Sequence, residues 1–359
     1  MQAKTLLAPA RRRGTASGLA VIALALALAG CGNRADSDYQ RQFFAFGTLV
    51  DITIYGASTK LAQQASDQAE RQFERMHRSW HAWHPSDLTR TNRLLATGKP
   101  FTAPASVLPL ITLGKTLSDQ SGGLFDPAIG RLLGLWGFES DQPPEGPPPD
   151  PKRIAALVAR HPSMDDIHVD GSTVRCSNPA VQLDFGAYAK GYGVDQVIAG
   201  LRKLGIRNAI VNAGGDLRAI GRHGDRPWRI GIMRPRGPGV IASVKISGDQ
   251  SVFTSGDYER YYMYKGKRYH HILDPRTGYP AWGTRSVTVI DRDGARADAA
   301  ATALFVAGPK GWVATARRMG IHYVMLIDKH GIVHMNPAMA KRIHFETPTR
   351  PKVELSPPL

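Results

Sequence analysis

The sequence predicts an α+β fold with mixed sheets, packed helices and two halves sharing one site. Three observations carry that prediction. Segments rich in β-branched and aromatic residues come in runs, interrupted by helices, rather than in regular strand–helix alternation. Long stretches place apolar residues at steps of three and four. The 359 residues include 37 glycines and 25 prolines, so much of the chain lies in turns and loops, where sites are commonly built.

Residues 1–30 read as an export leader. Arg11–Arg13 form a positive flank, and Gly18–Ala29 is an apolar run too short to span a bilayer comfortably. Leu28-Ala29-Gly30-Cys31 resembles the bacterial lipoprotein box, in which cleavage precedes a cysteine that is then lipidated. An uncleaved anchor or an ordinary signal peptide are the alternatives. Residues 31–42 read as a polar tether. Cys176 is then the one cysteine left for the folded body, which rules out an internal disulfide and suits a buried thiol.

The folded part is expected over 43–345. Phe43–Tyr55 reads as a strand, and a helix of about two dozen residues follows, with Leu61, Ala65, Ala69, Phe73, Met76 and Trp80 on one face. Ala105–Ser121 reads as a second helix, ended by Gly122-Gly123. Glu139–Pro151 holds six prolines and reads as a linker between domains or an excursion within one. A helix then runs to about His161. Val181–Phe185 reads as a strand, Gly191–Leu204 as a helix and Arg207–Asn212 as a strand. Tyr258–Tyr264 and Arg268–Leu273 pair as a hairpin around Lys265-Gly266-Lys267. Ala295–Val306 and Lys310–Met319 read as helices, and His322–Ile327 with Ile332–Met335 as a closing hairpin. Residues 346–359 read as a disordered tail.

The formal net charge is +16, of which four positive charges lie in the leader. The basic residues are scattered, without a Lys/Arg run carrying interleaved aromatics, so the charge points to an anionic ligand or membrane surface and not to nucleic acid.

Four stretches carry chemistry. In Leu183-Asp-Phe-Gly-Ala-Tyr-Ala-Lys-Gly-Tyr-Gly-Val-Asp195 an acid leaves a strand and Lys190 stands where a helix begins, a place suited to phosphate oxygens. Taken alone, it reads first as an ordinary strand-to-helix connection. Asn212-Ala-Gly-Gly-Asp-Leu217 permits close backbone approach, and alone is a tight turn. Thr254–Arg260 precedes Tyr269-His-His-Ile-Leu-Asp-Pro275, in which two adjacent histidines face opposite ways along a strand. In Arg296–Phe305, Asp298 and Thr302 are i and i+4 on one helix face, a hard-oxygen pair that suits Mg²⁺. Helix capping by Asp298 and back-bonding by Thr302 explain the pair equally well.

In this order, from about Phe44 to Ile332, the four stretches resemble the ApbE family, the FAD:protein FMN transferases. The resemblance implies Mg²⁺-dependent transfer of FMN from FAD to a Ser or Thr hydroxyl of a partner protein, with AMP released. It implies one nucleotide site shared by two halves of an ApbE-like fold. It places FAD contacts on Asp184 and Lys190, metal ligands on Ala187 (carbonyl), Asp298 and Thr302, a catalytic histidine on His271 and a flavin-lining residue on Ile272. Leu124, Phe125 and Asp126 match a nucleotide-contacting segment. Phe46 stands where the family has Met and Trp83 where it has Tyr, both keeping a bulky apolar face for an aromatic ring. His270 is the other possible base. The implied partners are exported acceptor proteins such as subunits of redox-driven ion pumps. The implied location is the periplasmic side of a bacterial membrane through Cys31, with the inner membrane favoured by the family role. A Mg²⁺-dependent FAD diphosphatase and a non-catalytic flavin-binding lipoprotein are the alternatives.

Overall fold

The computed structural model describes residues 38–359. The leader, Cys31 and most of the expected tether lie outside the described residues.

The frame is a nine-stranded sheet that takes its strands in chain order. They are β1 (Asp38–Ala45), β2 (Thr48–Tyr55), β3 (Ala209–Ala213), β4 (Asp216–Gly221), β5 (Gly248–Gly256), β6 (Thr284–Asp291), β7 (Tyr323–Asp328), β8 (Val333–Met335) and β9 (Val353–Leu355). Neighbours are antiparallel as far as β8, and β9 runs parallel to β8. The α+β class therefore holds, with helices inserted between strands that are adjacent in the sheet.

Alternation along the strands divides the core in two. Val324 and Leu326 of β7 join one cluster, while Met325 and Ile327 join the other. On the first face lie α1 (Thr59–Trp80), α2 (Ala189–Lys203) and α3 (Gly294–Arg318). The buried face of α1 is Ala62, Ala65, Ala69, Phe73, Met76 and Trp80, and Ser58 caps it by accepting from the Leu61 N–H at 3.3 Å. The second face is covered by a three-stranded sheet of Trp228–Met233, Val240–Ile246 and Ile343–Phe345.

A third cluster joins the Gly130–Leu135 and Pro151–Val158 helices to the hairpin of Tyr261–Tyr264 and Lys267–His270. Trp136 and Ile154 are buried there, and Trp136 Nε1 donates to the Gly278 carbonyl at 2.7 Å. The Pro-rich stretch is thus an excursion anchored at both ends to the main body.

Several expectations change. Phe43–Tyr55 is not one strand but part of the β1–β2 hairpin, because Phe46 (φ 52°) and Gly47 (φ 72°) both turn left-handed. The hairpin takes in residues 38–42, which the tether was expected to contain. Val181–Phe185 makes only an isolated bridge, Gln182 with Ile129, since the chain turns at once into α2. The tail forms structure: β8 and β9 pair Val333–Val353, His334–Glu354 and Met335–Leu355, and Arg317 donates to the Pro358 carbonyl at 2.7 Å. Its prolines flank the strand instead of interrupting it. The two expected C-terminal helices hold: α3 is two helical stretches separated at Gly308 (φ 66°, ψ −176°), just before Pro309. Among the described residues, no helix is long and apolar enough to cross a membrane.

Candidate active site

Two helix starts and two strands converge beside the middle of the sheet. The N-terminus of α2 brings Lys190 and Gly191, and the first half of α3 brings Asp298 and Thr302. The start of β4 brings Asp216, and the end of β5 brings Thr254 and Ser255. Gly191 makes the convergence possible. A Cβ there would stand 2.2 Å from the Gly294 carbonyl oxygen, so only glycine lets α2 lie this close to α3. The Gly191 N–H then donates to Asp298 Oδ2 at 3.0 Å.

Asp195, one turn further along α2, fixes the same junction. Its Oδ2 accepts from the N–H groups of Gly294 (2.8 Å) and Ala295 (3.3 Å) at the start of α3. Its Oδ1 pairs with Arg218, which also holds Asp249 at 2.8 Å.

Asp298 is 5% exposed, and burial followed by the charge of Asp216 raises its carboxyl well above the usual range. Lys190 forms an ion pair with Asp216. Burial alone would lower this ammonium, but Asp216 and then Asp298 outweigh it and raise it. Asp216 Oδ1 also accepts the Thr254 N–H at 2.9 Å. Thr302 Oγ1 lies 3.2 Å from Ser255 Oγ. Two buried carboxylates thus share one ammonium beside two hydroxyls. This is a hard-oxygen donor set short of positive charge, and it fits Mg²⁺ and not Zn²⁺. Asp298 and Thr302, the two side chains expected to ligate, belong to this set, and Ala187 lies in the turn that leads into α2.

A second group surrounds Arg260. Asp184 Oδ1 accepts the Gly186 N–H at 2.7 Å, and burial raises its carboxyl. Gln182 Nε2 donates to Glu139 at 2.8 Å, and Glu139 is pushed up to about 8, by burial first and by Asp184 second. Arg260 donates to the Phe138 carbonyl and lies over Trp83 at 5.6 Å.

The histidines separate cleanly. His270 is 1% exposed, packs on Phe305 at 5.5 Å, and has no partner for either ring nitrogen. His271 is half-buried. Its Nδ1 lies 3.2 Å from the Arg260 carbonyl, which can only accept, so Nδ1 carries the proton and the Nε2 lone pair is free. Both rings are lowered to about 3, chiefly by burial, with Arg260 adding to His271 and Arg268 to His270. Ile272, next in the chain, is buried.

The remaining expected contacts are placed less openly. Phe46 packs between α1 and α2, stacked on Trp80 at 5.9 Å. Phe125 is buried edge-on against Tyr188 at 5.3 Å. Asp126 turns inward to the N–H groups of Ala128 (2.9 Å) and Met164 (3.4 Å), and burial pushes it up to about 6. Leu124 is half-buried beside them. The segment still runs alongside Asp184, whose N–H donates to the Pro127 carbonyl at 2.9 Å. Cys176 is buried and donates to the Asn178 carbonyl at 3.2 Å, away from this chemistry.

Asp216, Ser255, Asp195 and Arg260 lie within the stretches singled out in the sequence but were given no role there, and Glu139 lay outside them. Asp216 had a signal, an acid directly after a Gly-Gly turn at a strand start. Glu139 had none, because its loop composition resembles any solvated Pro-rich surface.

Comparison with known proteins agrees on the family. The ApbE family model matches residues 46–325. A Rhodobacter capsulatus protein named FAD:protein FMN transferase is 42% identical over 337 residues, covering 93% of this chain, which in turn spans 64% of that protein's length. The crystal structure of the Thermotoga maritima ApbE protein superposes with a TM-score of 0.78 at 32% identity, over 85% of this chain and 99% of the other. The apo Pseudomonas stutzeri flavinyl transferase ApbE gives 0.74 at 32% identity, over 86% and 97%.

Proposed function

The chain belongs to the ApbE family, and from that premise we propose that it transfers FMN from FAD to a Ser or Thr hydroxyl of an exported acceptor protein, with Mg²⁺ bound and AMP released. The observation that carries the reading is the meeting of Asp298, Thr302 and the Lys190–Asp216 pair where α2 starts.

The diphosphate lies across that helix start, where the positive end of α2 and Lys190 face its oxygens. Asp298, Thr302 and the Ala187 carbonyl would hold Mg²⁺, which would supply Lewis-acid stabilisation of phosphate charge. The acceptor hydroxyl oxygen bonds to the flavin-side phosphorus, and the P–O bond to the AMP phosphate breaks. His271 Nε2 takes the hydroxyl proton. Its low basicity in the free protein comes from burial and Arg260, and an adjacent diphosphate raises it toward the useful range. Trp83, Phe46 and Ile272 offer apolar surface to the flavin and adenine rings, with Asp184 and the Leu124–Asp126 segment beside the nucleotide. The acceptors are subunits of redox-driven ion pumps and related flavoproteins. The lipid on Cys31 keeps the enzyme on the periplasmic face of the membrane.

The test mixes the protein with FAD, Mg²⁺ and an acceptor domain bearing a target Ser/Thr, then records acceptor mass. A Mg²⁺-dependent gain of one FMN that survives denaturation is expected. FAD split to FMN and AMP without a gain would replace transfer by hydrolysis. FAD left intact would leave only flavin binding.

A further inference from the structure

At the C-terminal end of α1, the run His77-Arg-Ser-Trp-His-Ala-Trp-His84 gathers imidazoles that the flavin chemistry does not use. His81 and His84 meet Asp141 of the Pro-rich excursion, and one ligand atom from each lies within 4.8 Å of the others. Among the described residues this is the one His/Cys/Asp/Glu group with that geometry. His84 Nε2 is 2.9 Å from Asp141 Oδ2, and the His81 and His84 rings are 4.3 Å apart. His77 stands one turn back, its ring 5.4 Å from that of His81.

We propose that His81, His84 and Asp141 form a second cation site, distinct from the Asp298 site and selective for a borderline transition metal such as Zn²⁺. Two imidazoles and a carboxylate are the donors Zn²⁺ takes at about 2.0–2.2 Å, leaving a fourth position for water. Mg²⁺, which keeps its waters and prefers oxygen, is not served by this set. The carboxylate is also oriented from behind, since Trp83 Nε1 donates to Asp141 Oδ1 at 2.9 Å, as supporting groups do at metal centres. The site opens to solvent, so a cation has a path in.

Nδ1 of His81 now accepts the N–H groups of His84 (3.1 Å) and Trp83 (3.4 Å). A metal takes either that lone pair or, after a tautomer change, Nε2. In both cases the contacts around Trp83 change. Trp83 lies between Asp141 and Arg260, so an occupied site would pin the excursion against the arm that carries His271.

The experiment is a Zn²⁺ titration of the full chain against a chromophoric chelator, in excess Mg²⁺, with Co²⁺ absorption and tryptophan fluorescence as second readouts. It needs neither FAD nor an acceptor, so its outcome is independent of the flavin reading. Wild type and Asp298→Ala should each bind one Zn²⁺ that the His81→Ala/His84→Ala double variant does not. Trp83→Phe should keep the site with affinity weakened about 10–100-fold. Asp141→Asn, which still offers an acceptor to Trp83, guards against misfolding as the cause of loss. Equal stoichiometry in wild type and the double variant, or no Zn²⁺ bound beyond that lost with Asp298→Ala, overturns the proposal.

Discussion

Replacing Gly191 by alanine adds one methyl group at the closest approach of α2 and α3. The new Cβ would meet the Gly294 carbonyl oxygen at 2.2 Å, its carbon at 2.5 Å and Ala295 Cα at 2.8 Å. All three are backbone atoms, so no side chain can swing aside. Restoring ordinary contact requires the helices to part by roughly 1 Å, and overpacking of this kind costs about 1–3 kcal/mol. The same movement stretches the Gly191–Asp298 hydrogen bond from 3.0 Å past bonding range, which removes a further ~1.5–3 kcal/mol of charge-assisted bonding. The Asp195 contacts to Gly294 and Ala295 cross the same gap. A domain of this size should lose roughly 5–10 °C in Tm. Displacing Asp298 by about 1 Å should slow transfer on the order of 100-fold. Gly200→Ala is the control on the same helix. Its Cβ meets only the flexible ends of the Gln72 and Gln68 side chains, at 3.3 and 3.5 Å, and alanine favours the helix by up to ~1 kcal/mol. Calorimetry and acceptor mass, read on both variants, check the reasoning. If Gly191→Ala matches Gly200→Ala in Tm and rate, helix contact does not position Asp298.

Asp298→Ala should abolish Mg²⁺-dependent FMN transfer, and Mg²⁺ dependence that persists by acceptor mass would remove the metal assignment. His270→Phe should gain stability over wild type as pH falls. The ring is lowered to about 3 when folded, so between about pH 6.5 and 3 the unfolded chain binds the extra proton, which costs wild type ~2 kcal/mol at pH 5. Denaturant unfolding at pH 7 and 5 measures this, and a constant difference would show that His270 is solvated. Glu139→Gln works in the opposite direction. Glu139 is held up at about 8, so wild type bears a penalty that grows as pH rises from about 4.5 to about 8, and the variant's advantage should grow with it. A pH-independent offset in unfolding measurements would refute the burial assigned to that carboxyl.

Much of the fold is legible because its helices bury one face. The 3.6-residue period of α1 survives in Ala62, Ala65, Ala69, Phe73 and Met76, and Gly122 (φ 66°) ends the Leu108–Ser121 helix where a glycine should. What escaped depends on partners remote in sequence. The β1–β2 turn uses Phe46 in a left-handed conformation, and that residue is tolerated because its ring is seated on Phe73 and Trp80. The tail strand exists only because β8 offers it an edge. No local pattern encodes either fact.

The site divides along the same line. Asp298 and Thr302 share a face by helical spacing alone, so their pairing needed only one element. Asp216 and Ser255 enter through sheet register, and Glu139 enters through a loop that folds back over 40 residues of chain to meet Gln182. Their roles follow from burial, which sequence does not display. Lys190 pairs with Asp216, and burial with the charge of Asp216 raises the Asp298 carboxyl, so on the proposed reading a bound cation is what would complete this cluster. A structural ion network would end with charges balanced, as Asp195, Arg218, Arg202 and Asp249 do nearby. In the proposed metal site the same glycine contact fixes the place of Asp298, so metal binding and helix packing should fail together when Gly191 is changed.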